Sequence, residues 1–153
     1  MVSINVTLPN QLHAGAVVYA KDVARVGEFY AAVTALPVTE VESGYVVMEA
    51  NGFQLLIFAI PSHIATDIEI TTPPVRREET PIKLIFVVPS IAISRARVAA
   101  FGGLLNPAES EWQFHGVRVC DGYDPEGNVF QLRESVHNMA INPEAQVSQN
   151  QSG

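Results

Sequence analysis

Asp124-Pro125-Glu126-Gly127-Asn128-Val129-Phe130-Gln131-Leu132 is the stretch that decides how this chain is read. From Gly127 onward it repeats Gly52-Phe53-Gln54-Leu55-Leu56-Ile57, displaced by 75 residues (127 minus 52). Upstream, Leu84-Ile85-Phe86-Val87-Val88-Pro89-Ser90-Ile91-Ala92 repeats Ala16-Val17-Val18-Tyr19-Ala20-Lys21-Asp22-Val23-Ala24, displaced by 68 (84 minus 16). Each copy reads as an apolar strand, a polar residue suited to cap a helix, and then the helix itself. A strand–helix–strands unit met twice predicts two half-barrels facing one cavity.

Working outward, Asp22 opens a helix whose Val23, Val26, Phe29, Tyr30 and Val33 share one face, and Pro37 marks its exit. Tyr45 to Glu49 and Phe53 to Ile60 predict a hairpin turned at Asn51-Gly52. In the second half, Ile82 to Val88 predicts a strand, Ser90 a cap, Ile91 to Phe101 a helix stopped by Gly102-Gly103, and Leu104 to Pro107 a short strand. Val117 to Tyr123 and Asn128 to Glu134 predict a last hairpin turned at Asp124 to Gly127. The expected organisation is a first unit over 13–60, a solvated linker over 61–81, a second unit over 82–135 and a polar tail over 136–153.

The 153 residues suffice for one domain or two joined half-domains. A hydrophobic share of 48% against 16% charged residues describes a packed globule and excludes a disordered chain. The net charge of -7 argues against nucleic acid or an anionic membrane surface as partner. Apolar runs are strand-sized, too short to span a bilayer, and the first residues lack the pattern of a secretion signal. The single Cys120 excludes an internal disulfide and fits a cytoplasmic protein.

Lys21-Asp22, Phe29-Tyr30 and Leu55-Leu56-Ile57-Phe58-Ala59-Ile60-Pro61, followed by Gly102-Gly103, Gly116-Val117-Arg118, Asp124-Pro125-Glu126-Gly127-Asn128 and Gln131-Leu132, carry a resemblance over residues 13 to 135. In that order and spacing they resemble the vicinal oxygen chelate superfamily of glyoxalases, bleomycin-resistance proteins and extradiol dioxygenases. The resemblance implies an α+β fold: two βαβββ modules forming curved mixed sheets around a central cavity, in a homodimer of side-by-side or swapped modules. Metal-using members place four ligands, His or Gln and Glu, on equivalent strands. The matching positions here are Gly15, Leu56, Lys83 and Gln131. Glycine and leucine offer no ligand atom, and a protonated lysine repels a cation. Only Gln131 remains as a weak oxygen ligand, so the usual metal site is expected to be lost, with no cofactor in its place.

Strand alternation then nominates a ligand-binding face. If Gly15 faces the cavity, so do His13, Val17 and Tyr19, together with Leu56, Phe58, Lys83, Ile85, Val87, Val129, Gln131 and Arg133. Lys83 is a candidate to meet a carboxylate or phosphate or, if desolvated, to act as a base or form a Schiff base, and the alternative is that it snorkels to the rim or pairs with a nearby carboxylate. Gln131 is a candidate to orient a polar group, and Tyr19 and Phe58 to stack on an aromatic ligand. His13, with His115, is a candidate displaced metal pair. Trp112 and Phe114 are candidates for the cavity rim, or a plug at a strand start. Cys120 reads as a small buried apolar residue and Asp124 as a residue that stabilises its own turn. His63 and His137 suggest no role. The expected function is metal-independent binding of a small organic ligand, anionic or aromatic. Two other readings stand: a lyase, isomerase or dioxygenase with a relocated metal or metal-free acid–base chemistry, and a non-catalytic interaction module. No catalytic residue is nominated.

Overall fold

The computed structural model describes residues 11–135. Strand β1 (Ala14–Ala20) leads into helix α1 (Val23–Thr34), then strands β2 (Val38–Glu42), β3 (Tyr45–Ala50) and β4 (Phe53–Ala59). A short helix α2 (Ser62–Ala65) lies in the connection. The second half holds β5 (Leu84–Val87), helix α3 (Ile91–Ala100), β6 (Leu104–Leu105), β7 (Trp112–Phe114), β8 (Val117–Tyr123) and β9 (Val129–Ser135). The first sheet has the order β1-β4-β3-β2. The second has the order β5-β9-β8-β6, with β7 also pairing β8. This is the α+β architecture expected from the repeat: two sheets, each with its helix, and no closed barrel. The proposed tail over 136–153, including His137, lies outside the described residues.

The two sheets repeat each other to the residue. Parallel pairing sets Val17 opposite Leu56 in the first sheet and Ile85 opposite Gln131 in the second. The strand offsets are again 68 (85 minus 17) and 75 (131 minus 56). The alignment drawn from sequence is therefore the alignment of the hydrogen-bond ladders.

Alternation then divides each sheet into two faces. Leu55, Ile57, Met48 and Val46 point at α1, whose Val26, Phe29, Tyr30 and Val33 are buried against them. Phe86, Phe130, Leu132 and Cys120 form the matching face of the second sheet, and both halves join one core. Each large apolar side chain buried there contributes about 1.5–3 kcal/mol. Phe29 and Tyr30 reach across the halves, with ring centroids 5.7 and 6.3 Å from Phe130.

Local chemistry fixes the helix ends. Asp22 accepts a hydrogen bond from the Arg25 amide, and Ser90 from that of Ile93. A buried carboxylate adds to each start: Glu126 accepts from the Lys21 and Asp22 amides at 2.8–3.0 Å, and Glu134 from the Ile91 amide at 2.7 Å. Negative charge there also complements the helix dipole.

The Asp124–Asn128 turn does more than close its hairpin. Asp124 is fully buried; its carboxylate accepts from the Glu126 and Asn128 amides, as expected of a turn-stabilising residue, and also from the Asn128 side chain and the Tyr30 hydroxyl at 2.8 Å. The linker is pinned to the same turn. Arg77 donates its amide to the Gly127 carbonyl, and the Lys21 ammonium reaches the Ile68 carbonyl. The crossover is exposed over most of its length, and at residues 75–77 it also lies against Gly127, whose bare Cα lets the Val75 carbonyl approach.

Two strands escaped the sequence reading. β2 is exposed along its length, with no buried residue to set a pattern. β7 is three residues long and turns into β8 at His115-Gly116, both at positive φ, as at Asn51-Gly52. β5 starts at Leu84, two residues later than expected. Among the described residues no helix is long and apolar enough to cross a membrane.

Gly127 has φ +86°, and a Cβ there would lie 2.0 Å from the Val75 carbonyl oxygen, whereas one at Gly44 would meet nothing. Gly127→Ala is expected to lose at least about 2 kcal/mol in urea unfolding, and Gly44→Ala almost nothing; equal midpoints would refute the contact. Tyr30→Phe tests the buried bond. Burial raises the Asp124 pKa, while the Tyr30 hydroxyl pulls it down. With a raised folded pKa, stability from Asp124 is fully present below about pH 4 and is lost as pH rises through the folded pKa. Removing the hydroxyl raises that pKa further, so the loss in Tyr30→Phe is expected to grow from pH 4 to pH 8, reaching about 1–3 kcal/mol. A pH-independent loss would show that Asp124 does not titrate against Tyr30.

Candidate functional site

The face of each sheet turned away from its helix is the open one. On the first sheet it carries Gly15, Val17 and Tyr19 of β1, with Leu56 and Phe58 of β4. Val17 is 52% exposed and Tyr19 60%. Tyr19 and Phe58 meet edge to face at 6.3 Å, and Tyr45 stacks on Phe58 at 5.9 Å. On the second sheet the open face carries Ile85, Val87, Gln131, Arg133 and Asp121.

Between β1 and β5 lies a cleft of about 580 Å³. Its walls include Gly15 to Tyr19, Leu84 and Val129, with Arg77 and Thr80 of the linker along it. Tyr30 and Asn128 also line it, so the cleft borders on the buried Asp124 turn. A smaller hollow beside it is lined by Arg76, Glu78, Thr80, Lys83 and Val129.

Lys83 takes the second of the two readings weighed from sequence. Its ammonium donates to Asp121 Oδ2 at 2.6 Å, forming an ion pair in which Asp121 is nearly buried and the Lys83 side chain 40% exposed. Asp121 Oδ1 accepts from Gln131 Nε2 at 3.0 Å. Gln131 Oε1 in turn accepts from Arg133 Nε at 2.9 Å. The guanidinium lies 5.7 Å from the centre of the Phe114 ring, within cation–π range. Three neighbouring strands and the residue that precedes β5 thus hold one chain of contacts, Lys83–Asp121–Gln131–Arg133–Phe114.

Asp121 is the member that sequence reasoning missed. The signal was present: Asp121 alternates with Val119 and Tyr123 along β8, which puts it across from Gln131. Trp112 is in the row of Val119, Arg133 and Val87, at the edge of the same face and 41% exposed.

The histidines are not brought together. His13 precedes β1, its amide on the Gly52 carbonyl. His115 sits in the β7–β8 turn, its ring 4.3 Å from that of Phe114. Cys120 is on the helix-facing side, and burial pushes its thiol pKa up, opposite to what an activated thiol requires.

A continuous match to a glyoxalase-like domain runs over residues 15–133, most of the chain. The chain belongs to the glyoxalase-like family. Several solved structures share the fold. A glyoxalase-related enzyme from Fulvimarina pelagi shares 19% identity at a TM-score of 0.60, covering 82% of this chain and 88% of that one. The bleomycin resistance determinant encoded on transposon Tn5 shares 14% at 0.52, covering 80% and 97%. The fosfomycin resistance protein FosX from Listeria monocytogenes shares 16% at 0.56, covering 88% and 99%. None of the curated proteins matches the chain.

The residues at the four positions where the sequence resemblance implies metal ligands do not fit a divalent ion. Gly15 and Leu56 supply no ligand atom. Lys83 is cationic and paired with Asp121. Gln131, the one oxygen ligand left open by the sequence, has its carbonyl engaged by Arg133 and its amide by Asp121. Among the described residues no group of three or more His, Cys, Asp or Glu side chains could hold an ion.

Asp121 is expected to hold this network together. Asp121→Asn keeps an acceptor for Gln131 but loses the ion pair, a cost of about 1 kcal/mol or less because Lys83 is partly solvated. Asp121→Leu strands Gln131 Nε2 as well, adding about 1–3 kcal/mol. Thermal unfolding should rank wild type, Asp121→Asn and Asp121→Leu in falling order; an Asp121→Leu protein as stable as wild type would dismantle the network.

Proposed function

We propose that the protein binds a small organic ligand on the open sheet face, without a metal, and works as a homodimer. The observation that carries this reading is the replacement of the metal-ligand positions by Gly15, Leu56, Lys83 and a hydrogen-bonded Gln131. The cleft of about 580 Å³ supports it: such a volume suits a small molecule, and its walls are mostly apolar with a few polar groups. Tyr19 and Phe58 offer aromatic surface beside the cleft, and Arg133, held through Gln131 in the network that Lys83 and Asp121 begin, supplies the polar contact. Trp112 flanks them at the sheet edge. His13 stands at the far end of β1 and takes a peripheral place.

The dimer rests on the apolar character of the same face. Val17, Tyr19, Phe58, Ile85 and Val87 are all at least 41% exposed on it. Exposed apolar side chains gathered on sheet faces in this way mark a place where something binds. A second copy laid over part of it would shield these side chains and deepen the cleft.

Protein purified without chelator or metal-affinity resin is expected to carry well under one equivalent of zinc, nickel, manganese or iron per chain by elemental analysis. A full equivalent would overturn the metal-free reading and favour a relocated catalytic metal. Sedimentation velocity is expected to give the mass of two chains, and Ile85→Glu, which buries a charge if the face is covered, to shift it toward one.

A further inference from the structure

Within that reading of the open face, we infer that the ligand carries a carboxylate on an aromatic or similarly flat apolar body, and that Arg133, not Lys83, is its anchor. The inference depends on the open face being the ligand site and deepens it to a chemical class.

The charges decide between the two cations. Lys83 is neutralised by Asp121 at 2.6 Å. Arg133 has no carboxylate within ion-pair distance among the described residues; its one polar partner there is the neutral Gln131 carbonyl. Two cations and one anion leave the group with a surplus positive charge, and it sits on the guanidinium. That surplus is notable in a chain whose net charge is -7.

Geometry makes the guanidinium a fork. Nε is spent on Gln131, so the N–H groups of Nη1 and Nη2 remain. Gln131 is itself held by Asp121, which fixes which amide atom faces Arg133. Phe114 flanks the same guanidinium at 5.7 Å. A planar cation fixed at Nε and supported by a ring is prepared to bind a carboxylate through two parallel hydrogen bonds. Lysine, a point charge already engaged, offers no such pair.

The surroundings give the rest of the ligand. Trp112 and Val87 lie in the Arg133 row, and Phe114 is diagonal to it. All three are exposed, from 41% for Trp112 to 72% for Val87. An aromatic ring attached to the carboxylate would cover them. Asp121 and Gln131 act as positioning residues, since they orient Arg133 and touch no ligand themselves.

The test uses naphthalene-2-carboxylate and its neutral analogue naphthalene-2-carboxamide, read through the fluorescence of Trp112, the one tryptophan of the chain. Wild type at low salt is expected to bind the acid about tenfold or more tightly than the amide, as one charge-assisted bidentate contact allows. Arg133→Met should erase that preference by weakening the acid alone, Arg133→Lys should restore part of it, and Lys83→Met should leave it in place. Circular dichroism melts establish that each variant is folded. If both probes bind wild type equally, or Arg133→Met keeps the preference, the carboxylate inference fails and the ligand face survives. If neither probe binds, the ligand face fails with it. If Arg133→Met changes the sedimenting mass and not the preference, the patch is a contact between copies, and the inference is overturned.

Discussion

The buried carboxylate of Asp124 is the point on which the two halves of this fold turn. A carboxylate with no solvent exposure is stable only when its acceptor capacity is filled. Here it is filled by the Glu126 and Asn128 amides, the Asn128 side chain and the Tyr30 hydroxyl. Three of those donors belong to its own turn; the fourth comes from α1 in the other half. Two residues on, Glu126 sends its carboxylate to the first amides of α1. One five-residue turn therefore fixes both the start and the middle of the opposite helix. The linker is held at Gly127, where only a glycine allows the Val75 carbonyl to lie so close. The position of β1 against β5, and with it the cleft between them, follows from this joint.

The fold was legible because its signals were periodic and doubled. An offset of 68 between first strands and 75 between last strands reappears as Val17–Leu56 and Ile85–Gln131 in the ladders. Asp22 and Ser90 cap the helices they were expected to cap. What escaped lacked a period. β2 has no buried side chain, and β7 is only three residues long. His115-Gly116 was a hairpin turn in plain view, with histidine where asparagine is usual. The Asp124 turn was read as closing on itself; its long-range half, Tyr30 and α1, is a tertiary fact with no local trace.

The site was legible as a face but not as a circuit. Alternation from Gly15 was enough to nominate Lys83, Gln131 and Arg133 for one surface, and the strand register places the last two there, with Lys83 joined through Asp121. It could not say how they would share their hydrogen bonds, because that depends on the β8 register. Asp121 enters through antiparallel pairing across Gln131. Once it is present, the roles of the two cations separate: Lys83 becomes a partner within the protein, and Arg133 keeps its outward donors.

On the proposed metal-free reading, that separation divides an ion's tasks between side chains. In a metal site, the cation fixes the orientation of several side chains and supplies positive charge to a ligand. Here the first task falls to the Asp121 carboxylate, which gathers Lys83 from the approach to β5 and Gln131 from β9. On the same proposed reading, the second falls to the guanidinium at the end of the chain of bonds. The arrangement is self-consistent because each hydrogen bond restricts the next. Asp121 selects the Gln131 amide orientation; that orientation presents a carbonyl to Arg133; and the Nε contact holds the guanidinium near Phe114. Rigid donors bind with less loss of conformational freedom than mobile ones. On that argument the open face of the second sheet is the better-ordered half of the site. The first sheet, with Val17, Tyr19 and Phe58, contributes apolar and aromatic surface whose shape matters more than its charge.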